Sequence, residues 1–274
     1  GQCSGAGGQG NAATGIIIIK DCYGNIISSR TSGTLEPSPC DGPTAVLIDE
    51  ELVSLRNDCN KLEALSSSPD FQNKMEEILA GTSGSTEIGY YGRKNEDGEI
   101  EYLAEDRHES DPDNVEIATD PPATAIDSDI HNHFNDGLGS LSVFSGADLY
   151  TTHQLFYYDL IENNNQYIKV LATPGDNISP DDDTVYALKI KGGANFNDFG
   201  LNYLNDPLIA DVYFKEKGIV ANNSTAQQEK LLVELLNELD SGLVIYRGDK
   251  NNLNNWTQLK INNNGNFEEN DCKD

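Results

Sequence analysis

The sequence predicts a mixed α/β (α+β) domain with a central mixed sheet flanked by helices. Two observations carry this. Several segments place apolar residues at three- and four-residue steps, as helices do, and between them lie short apolar runs bounded by Gly, Asn, Asp and Pro, as strands do. The two kinds of segment neither alternate strictly nor repeat, so a regular βαβ array and a solenoid are both disfavoured. With 274 residues, 37% of them apolar, the chain can build one large domain with an appended lobe.

The elements justify that class in order. Residues 1–14 are Gly, Ser, Ala, Gln and Asn for the most part, which predicts a flexible tail. Ile16–Ile19 and Ile26–Ile27 flank Tyr23-Gly24-Asn25, a small hairpin, and Thr31–Pro43 reads as a linker, so 1–44 is set apart. The main domain is expected over 45–190. Leu52, Leu55, Cys59, Leu62 and Leu65 share one helical face, and Ser68-Pro69 opens a second helix with Phe71, Met75, Ile78 and Leu79 inward and Gly81 at its end. Thr86–Tyr91 and Ile100–Leu103 are strands, Glu105–Pro122 is an acidic surface excursion, and Ala125–His133 is a further strand. A helix from Ser145 to Ile161 and strands at Tyr167–Ala172 and Val185–Ile190 complete the domain. Residues 191–274 form a C-terminal lobe: a helix after Ser224 with Leu231, Leu232, Leu235, Leu236 and Leu239 inward, then a hairpin of Leu243–Tyr246 and Trp256–Ile261.

Charge narrows the function. Forty-six carboxylates face 18 Lys and Arg, a net charge of −28. A field of that sign repels nucleic-acid phosphate and anionic lipid, so no nucleic-acid partner is expected. No apolar run approaches the roughly 20 residues of a membrane-spanning helix, so no membrane insertion is expected. The chain begins at Gly1 rather than Met, which suggests a processed or truncated piece. Of the cysteines Cys3, Cys22, Cys40, Cys59 and Cys272, none shows C-x-x-C spacing. Cys59 reads as a core residue. Cys22 and Cys40 lie where packing is thin, so a disulfide between them is expected, and with it a secreted or cell-surface location.

The chemistry gathers around His131 and His133. Residues two apart on a strand share a face, and Ile126 and Ile130 take the opposite parity, towards the core. Two imidazoles on one face that need an oxygen ligand are a common start for a zinc site. Ser145-Gly146-Ala147-Asp148 follows a Gly-rich loop; with Ser145 as N-cap, Asp148 falls in the first helical turn. Such a pair also serves as plain capping, but beside His-x-His the carboxylate supplies the missing third ligand.

Together with Glu87 in Thr86-Glu87-Ile88-Gly89-Tyr90, the order Glu, His131-Asn132-His133, Ser145-x-x-Asp148 resembles the JAMM (MPN+) metallopeptidases over residues 84–172. Phe144-Ser145-Gly146-x-Asp148 is similar to a variant in Bacteroidetes-type bacterial proteins. The resemblance implies a JAMM/cytidine-deaminase-like sheet and zinc held by His131, His133 and Asp148, with water in the fourth position. It also implies Glu87 as acid/base and Ser145 as a support for the tetrahedral oxyanion. Two departures stand: residues 134–144 form a longer spacer than the family usually has, and Phe134 replaces the proline that commonly follows the second histidine. Asp136 and His153 therefore stay open as alternative third ligands, and Glu87 could instead be a solvent-facing strand residue.

The expected activity is zinc-dependent hydrolysis of an amide bond in a peptide or protein substrate, peptide or isopeptide. A secreted effector that cuts another cell's protein is a form of the same chemistry. The competing reading is a non-enzymatic surface or adhesion module with a structural or vestigial metal. His131-Asn132-His133 is not an HNH nuclease signature, since that name describes a dispersed motif and an acidic protein suits DNA poorly.

Overall fold

Three strands open the chain: β1 (Ala13–Lys20), β2 (Ile26–Gly33) and β3 (Thr44–Ile48). β1 is central and antiparallel to both others, with Ile18 opposite Ser29 on one side and Val46 on the other. The expected hairpin is this β1–β2 pair, and Thr44–Ile48 belongs to the same small sheet. The computed structural model describes residues 13–20, 26–33, 44–48, 50–95, 98–104, 106–107, 115–116, 125–134, 140–175 and 183–273. The expected tail, the Cys22–Cys40 bridge and Asp136 lie outside the described residues. The chain divides into two compact units, Gly1–Asn60 and Lys61–Asp274, with the division inside helix α1 (Glu50–Ser66).

In the second unit, α2 (Pro69–Gly81) starts at Ser68 with proline in its first turn, as its sequence required, and buries Phe71, Met75 and Ile78. β4 (Gly89–Lys94) and β5 (Ile100–Ala104) pair antiparallel. Within the acidic stretch, β6 (Asp106–Arg107) and β7 (Val115–Glu116) form a short ladder. β8 (Ser128–Asn132), α3 (Gly146–Tyr157), β9 (Ile168–Thr173) and β10 (Thr184–Ile190) follow. α3 stops before the predicted Ile161 because Asp159 turns the chain with φ of 54°. Two helices that the sequence reading did not anticipate, α4 (Gly193–Tyr203) and α5 (Pro207–Glu216), precede α6 (Thr225–Glu238). β11 (Leu243–Asp249) and β12 (Asn252–Ile261) are the expected hairpin, and β13 (Phe267–Asp271) is an additional strand.

Eight of these strands form one mixed sheet in the order β13-β12-β11-β10-β9-β8-β4-β5. Every neighbouring pair is antiparallel except β8 and β9, which run parallel and are joined through α3. The strands of residues 191–274 thus extend the same sheet. One face buries Leu171, Tyr186, Leu188 and Ile245 against α3, α4, α5 and α6; α2 lies along the other, against β5, β8 and β9. With helices on both faces, all of β8 is buried, so neither parity is solvent-facing. His131 and His133 therefore do not project from an open face; they sit under the α3 side of the sheet.

Cys59 is buried as expected, yet it is not a free thiol: Cys59 and Cys272 are both disulfide-bonded. Among the described residues, no helix is long and apolar enough to cross a membrane.

Candidate metal centre

β8 carries the first histidine in register between two neighbours, with His131 opposite Gly89 of β4 and Leu171 of β9. His133 follows just past the strand's carboxyl end, its backbone N–H still donating to Ala172 O at 2.9 Å. The chain then returns so that α3 starts beside it. Ser145 is the N-cap of α3: its Oγ accepts from Asp148 N at 3.0 Å, while Ser145 N donates to Asp148 Oδ2 at 2.7 Å. This reciprocal cap satisfies two amides at the helix start and fixes the Asp148 rotamer.

The same carboxylate reaches both imidazoles. Asp148 Oδ1 lies 2.8 Å from His131 Nε2, and Oδ2 lies 3.2 Å from His133 Nε2. One ligand atom from each of the three residues falls within 4.8 Å of the others, and the histidines are 3% and 6% exposed. Such a donor set, two imidazole nitrogens and a carboxylate oxygen, can hold a metal ion. Capping and metal-ligand convergence, which the sequence posed as alternatives for Asp148, coexist in one side chain.

The hydrogen bonding is compatible with a cation. His133 Nδ1 lies 2.9 Å from Leu141 O. A carbonyl only accepts, so Nδ1 carries the proton and Nε2 turns its lone pair towards Asp148. A lone pair facing a carboxylate needs a proton or a cation between them. Burial works against a charge on His133, but the Asp148 carboxylate outweighs it, helped by Glu87, and lifts the group to about 9. His131 moves the other way: burial lowers it, and nearby Lys169 adds to that. Its Nε2 is close to Asp148 but lacks hydrogen-bond alignment, which leaves a buried nitrogen unsatisfied. Burial alone would raise Asp148; the two imidazoles instead hold it well below the usual carboxylate range. An orphaned imidazole nitrogen beside an ionised carboxylate fits a metal centre.

Behind the centre, Asp129 stands two residues before His131 and opposite Lys169 in the β8–β9 register. It accepts from Lys169 Nζ at 3.2 Å and from Tyr167 Oη at 2.6 Å, all three residues being buried. Asp127, two residues earlier, pairs with Lys94 at 2.7 Å.

Glu87 lies ahead of β4, not within a strand, since the strand begins at Gly89. The ladder there is completed by a side chain: Asn132 N donates to Ile88 O at 3.1 Å, but Ile88 N donates to Asn132 Oδ1 at 2.8 Å. Glu87 lies two residues before Gly89, the register partner of His131, and its charge acts on the His133 imidazole. Glu87 is half-buried and is not one of the three converging ligands. Ser145 Oγ also donates to Asp148 Oδ2 at 2.8 Å, which commits its single proton to the carboxylate.

His153 is not brought to the centre. It points from α3 into the α4 contact, with its ring against Phe196 at 5.6 Å between centroids and so near Gly200 that any Cβ there would meet it at 2.0 Å. Two contributors escaped the sequence reading. Asn132, fully buried, also donates to His133 O at 3.0 Å. Asp211 of α5 accepts from Ala147 N at 3.1 Å, and burial raises its carboxyl. The N-cap and first-turn proline Asp206-Pro207 was the local signal for α5; nothing local marks where Asp211 lands. Compared with known proteins, the chain matches no family model, no curated protein and no solved structure.

Proposed function

We propose that this chain is a zinc-dependent hydrolase of peptide or isopeptide amide bonds, with a JAMM-like arrangement of catalytic groups. The observation that supports it most is the convergence of His131, His133 and Asp148 within 4.8 Å, with His131 Nε2 lacking an aligned partner. Two nitrogens and one carboxylate oxygen suit zinc and leave an open position for catalysis. Zinc held there would act as a Lewis acid towards a carbonyl and acidify a water.

The chain's own groups supply the rest. Glu87, whose charge acts on His133 and which lies outside the ligand set, would take a proton from the attacking water and return it to the leaving amine. Leu141 O fixes the His133 tautomer, and Ser145 aims the Asp148 carboxylate. The centre also lies past the carboxyl end of a parallel strand and at a helix start, a common place for sites in α/β sheets.

A structural metal without turnover is favoured by one observation, the commitment of the Ser145 proton to Asp148, which removes a donor for an oxyanion. One experiment separates the two readings. Purified protein is assayed for zinc content and then given a peptide library and isopeptide-linked substrates, with Glu87→Gln alongside. Zinc-dependent cleavage that Glu87→Gln abolishes supports the hydrolase; bound zinc with no cleavage leaves the structural site; no zinc sinks both.

A further inference from the structure

We propose that Asp211 is a positioning residue for the metal centre, holding the start of α3 where Asp148 can meet both histidines. The proposal rests on the metal-site reading above and extends it to α5, a helix outside the motif-bearing segment.

The first observation is a backbone contact. Gly146, in the first turn of α3, has no room for a side chain: a Cβ there would lie 2.5 Å from Ala210 C and 2.7 Å from Ala210 O and Asp211 N. Overlap of that kind involves main chain, which cannot swing aside. The glycine is therefore what lets α5 lie directly on the α3 start, two residues from Asp148.

The second is a hydrogen bond at that contact. A helix begins with four amides that have no partner inside it. In α3 the amide of Asp148 is satisfied by Ser145 Oγ, and that of Ala147 by Asp211 Oδ1 at 3.1 Å. Consecutive amides are thus held from two different elements, one of them sixty-four residues away in sequence. Without the Asp211 acceptor, the Ala147 N–H would be half-buried and unpaired, and the first turn would be free to shift.

The third is that α5 is itself anchored. Asp206 caps it by accepting from Leu208 N at 2.9 Å and Ile209 N at 3.3 Å, and Ala210 and Phe214 are buried in the core. Asp211 is therefore presented from a fixed support. Its role is indirect, because it acts through Ala147 and Asp148 and is not one of the converging ligands.

The test compares Asp211→Ala with Asp211→Asn in the full chain. Asn keeps an acceptor oxygen for Ala147 N–H and removes the charge; Ala removes both. Zinc affinity is measured by competition with a chromophoric chelator, and ligand geometry by the visible spectrum after cobalt(II) substitution. Asp211→Ala should bind zinc about 10–100-fold more weakly, the range usual for residues that orient metal ligands, and should shift the cobalt bands. Asp211→Asn should restore both readouts. If Asp211→Ala fails to fold, Asp211→Leu, closer in volume and without an acceptor, carries the same expectation. Wild-type affinity in the Ala or Leu variant overturns the assignment, as does an equal loss in Asn and Ala. A wild-type chain that binds neither metal overturns the metal reading itself, a different result from a wild type that binds and an Asp211→Ala that binds equally.

Discussion

His131 Nε2 and Asp148 Oδ1 stand 2.8 Å apart in a buried site without the alignment of a hydrogen bond. The pair is close enough for charge to matter and wrongly aimed to share a proton well. A cation coordinated by both would resolve this, so zinc should stabilise the fold. At a hundred times its Kd the gain is about 2.7 kcal/mol, visible as a higher melting temperature that a chelator reverses. His131→Ala should lose the shift. Equal melting of the wild type with zinc and with chelator would rule the centre out.

Glu87 acts on His133 but is not among the converging ligands. Glu87→Gln should accordingly bind zinc as the wild type does while turnover falls by about 10²–10⁴-fold. Zinc titration and initial rates on whichever substrate the library yields are the measurements. A large loss of zinc would make Glu87 a ligand or its support instead of an acid/base.

Ser145 gives its proton to Asp148 and receives that residue's amide. Ser145→Ala should cost about 0.5–2 kcal/mol of stability through the lost cap. Each change breaks one end of the cap and both remove the Ser145 Oγ–Asp148 Oδ2 bond, so Ser145→Ala and Asp148→Ala should be non-additive in the metal-free protein, with a coupling of at least about 0.5 kcal/mol. Denaturant melts of the two single variants and the double variant test it; simple additivity would show that the bond between the two side chains carries no weight.

His153 makes the pH prediction. Burial holds its imidazole below the usual value, and Asn197, near but not aligned for a hydrogen bond, offsets this only in part. The folded value is the lower one, so the unfolded chain takes up the proton first. The contribution is therefore full above the unfolded value near 6.5 and is lost as pH falls from there towards the folded value. Metal-free protein should lose more unfolding free energy between about pH 7.5 and 5.5 than His153→Phe does. Equal losses would mean that His153 does not titrate with unfolding.

Much of this was legible locally. Ser68-Pro69 and Ser224 mark helix starts whatever the rest of the chain does, and the α2 and α6 apolar stripes are clean. The meeting of His131, His133 and Asp148 followed from a two-residue strand spacing and a helix cap. Both α4 and α5 were missed for a physical reason: Leu201, Leu208, Ile209 and Val212 are exposed, so apolar residues fall on both sides of these helices and blur the period. The burial of both faces of β8 was also hidden, because polar residues such as Asp129 and Asn132 are buried by pairing with partners far off in sequence. Glu87 read as a strand residue because nothing local announces that Asn132 Oδ1 replaces the strand's next backbone acceptor.

The three converging ligands all come from residues 131–148, one strand end and the next helix start. Closing so short a loop carries little entropy cost compared with pairing the outer strands of an eight-stranded sheet. The ligand set can then assemble early in folding, before β11 to β13 are laid down, whereas the Asp211 contact must wait for α5. Zinc present during refolding is expected to raise the folding rate as well as slow unfolding; an effect confined to the unfolding limb would place the centre among the last contacts made.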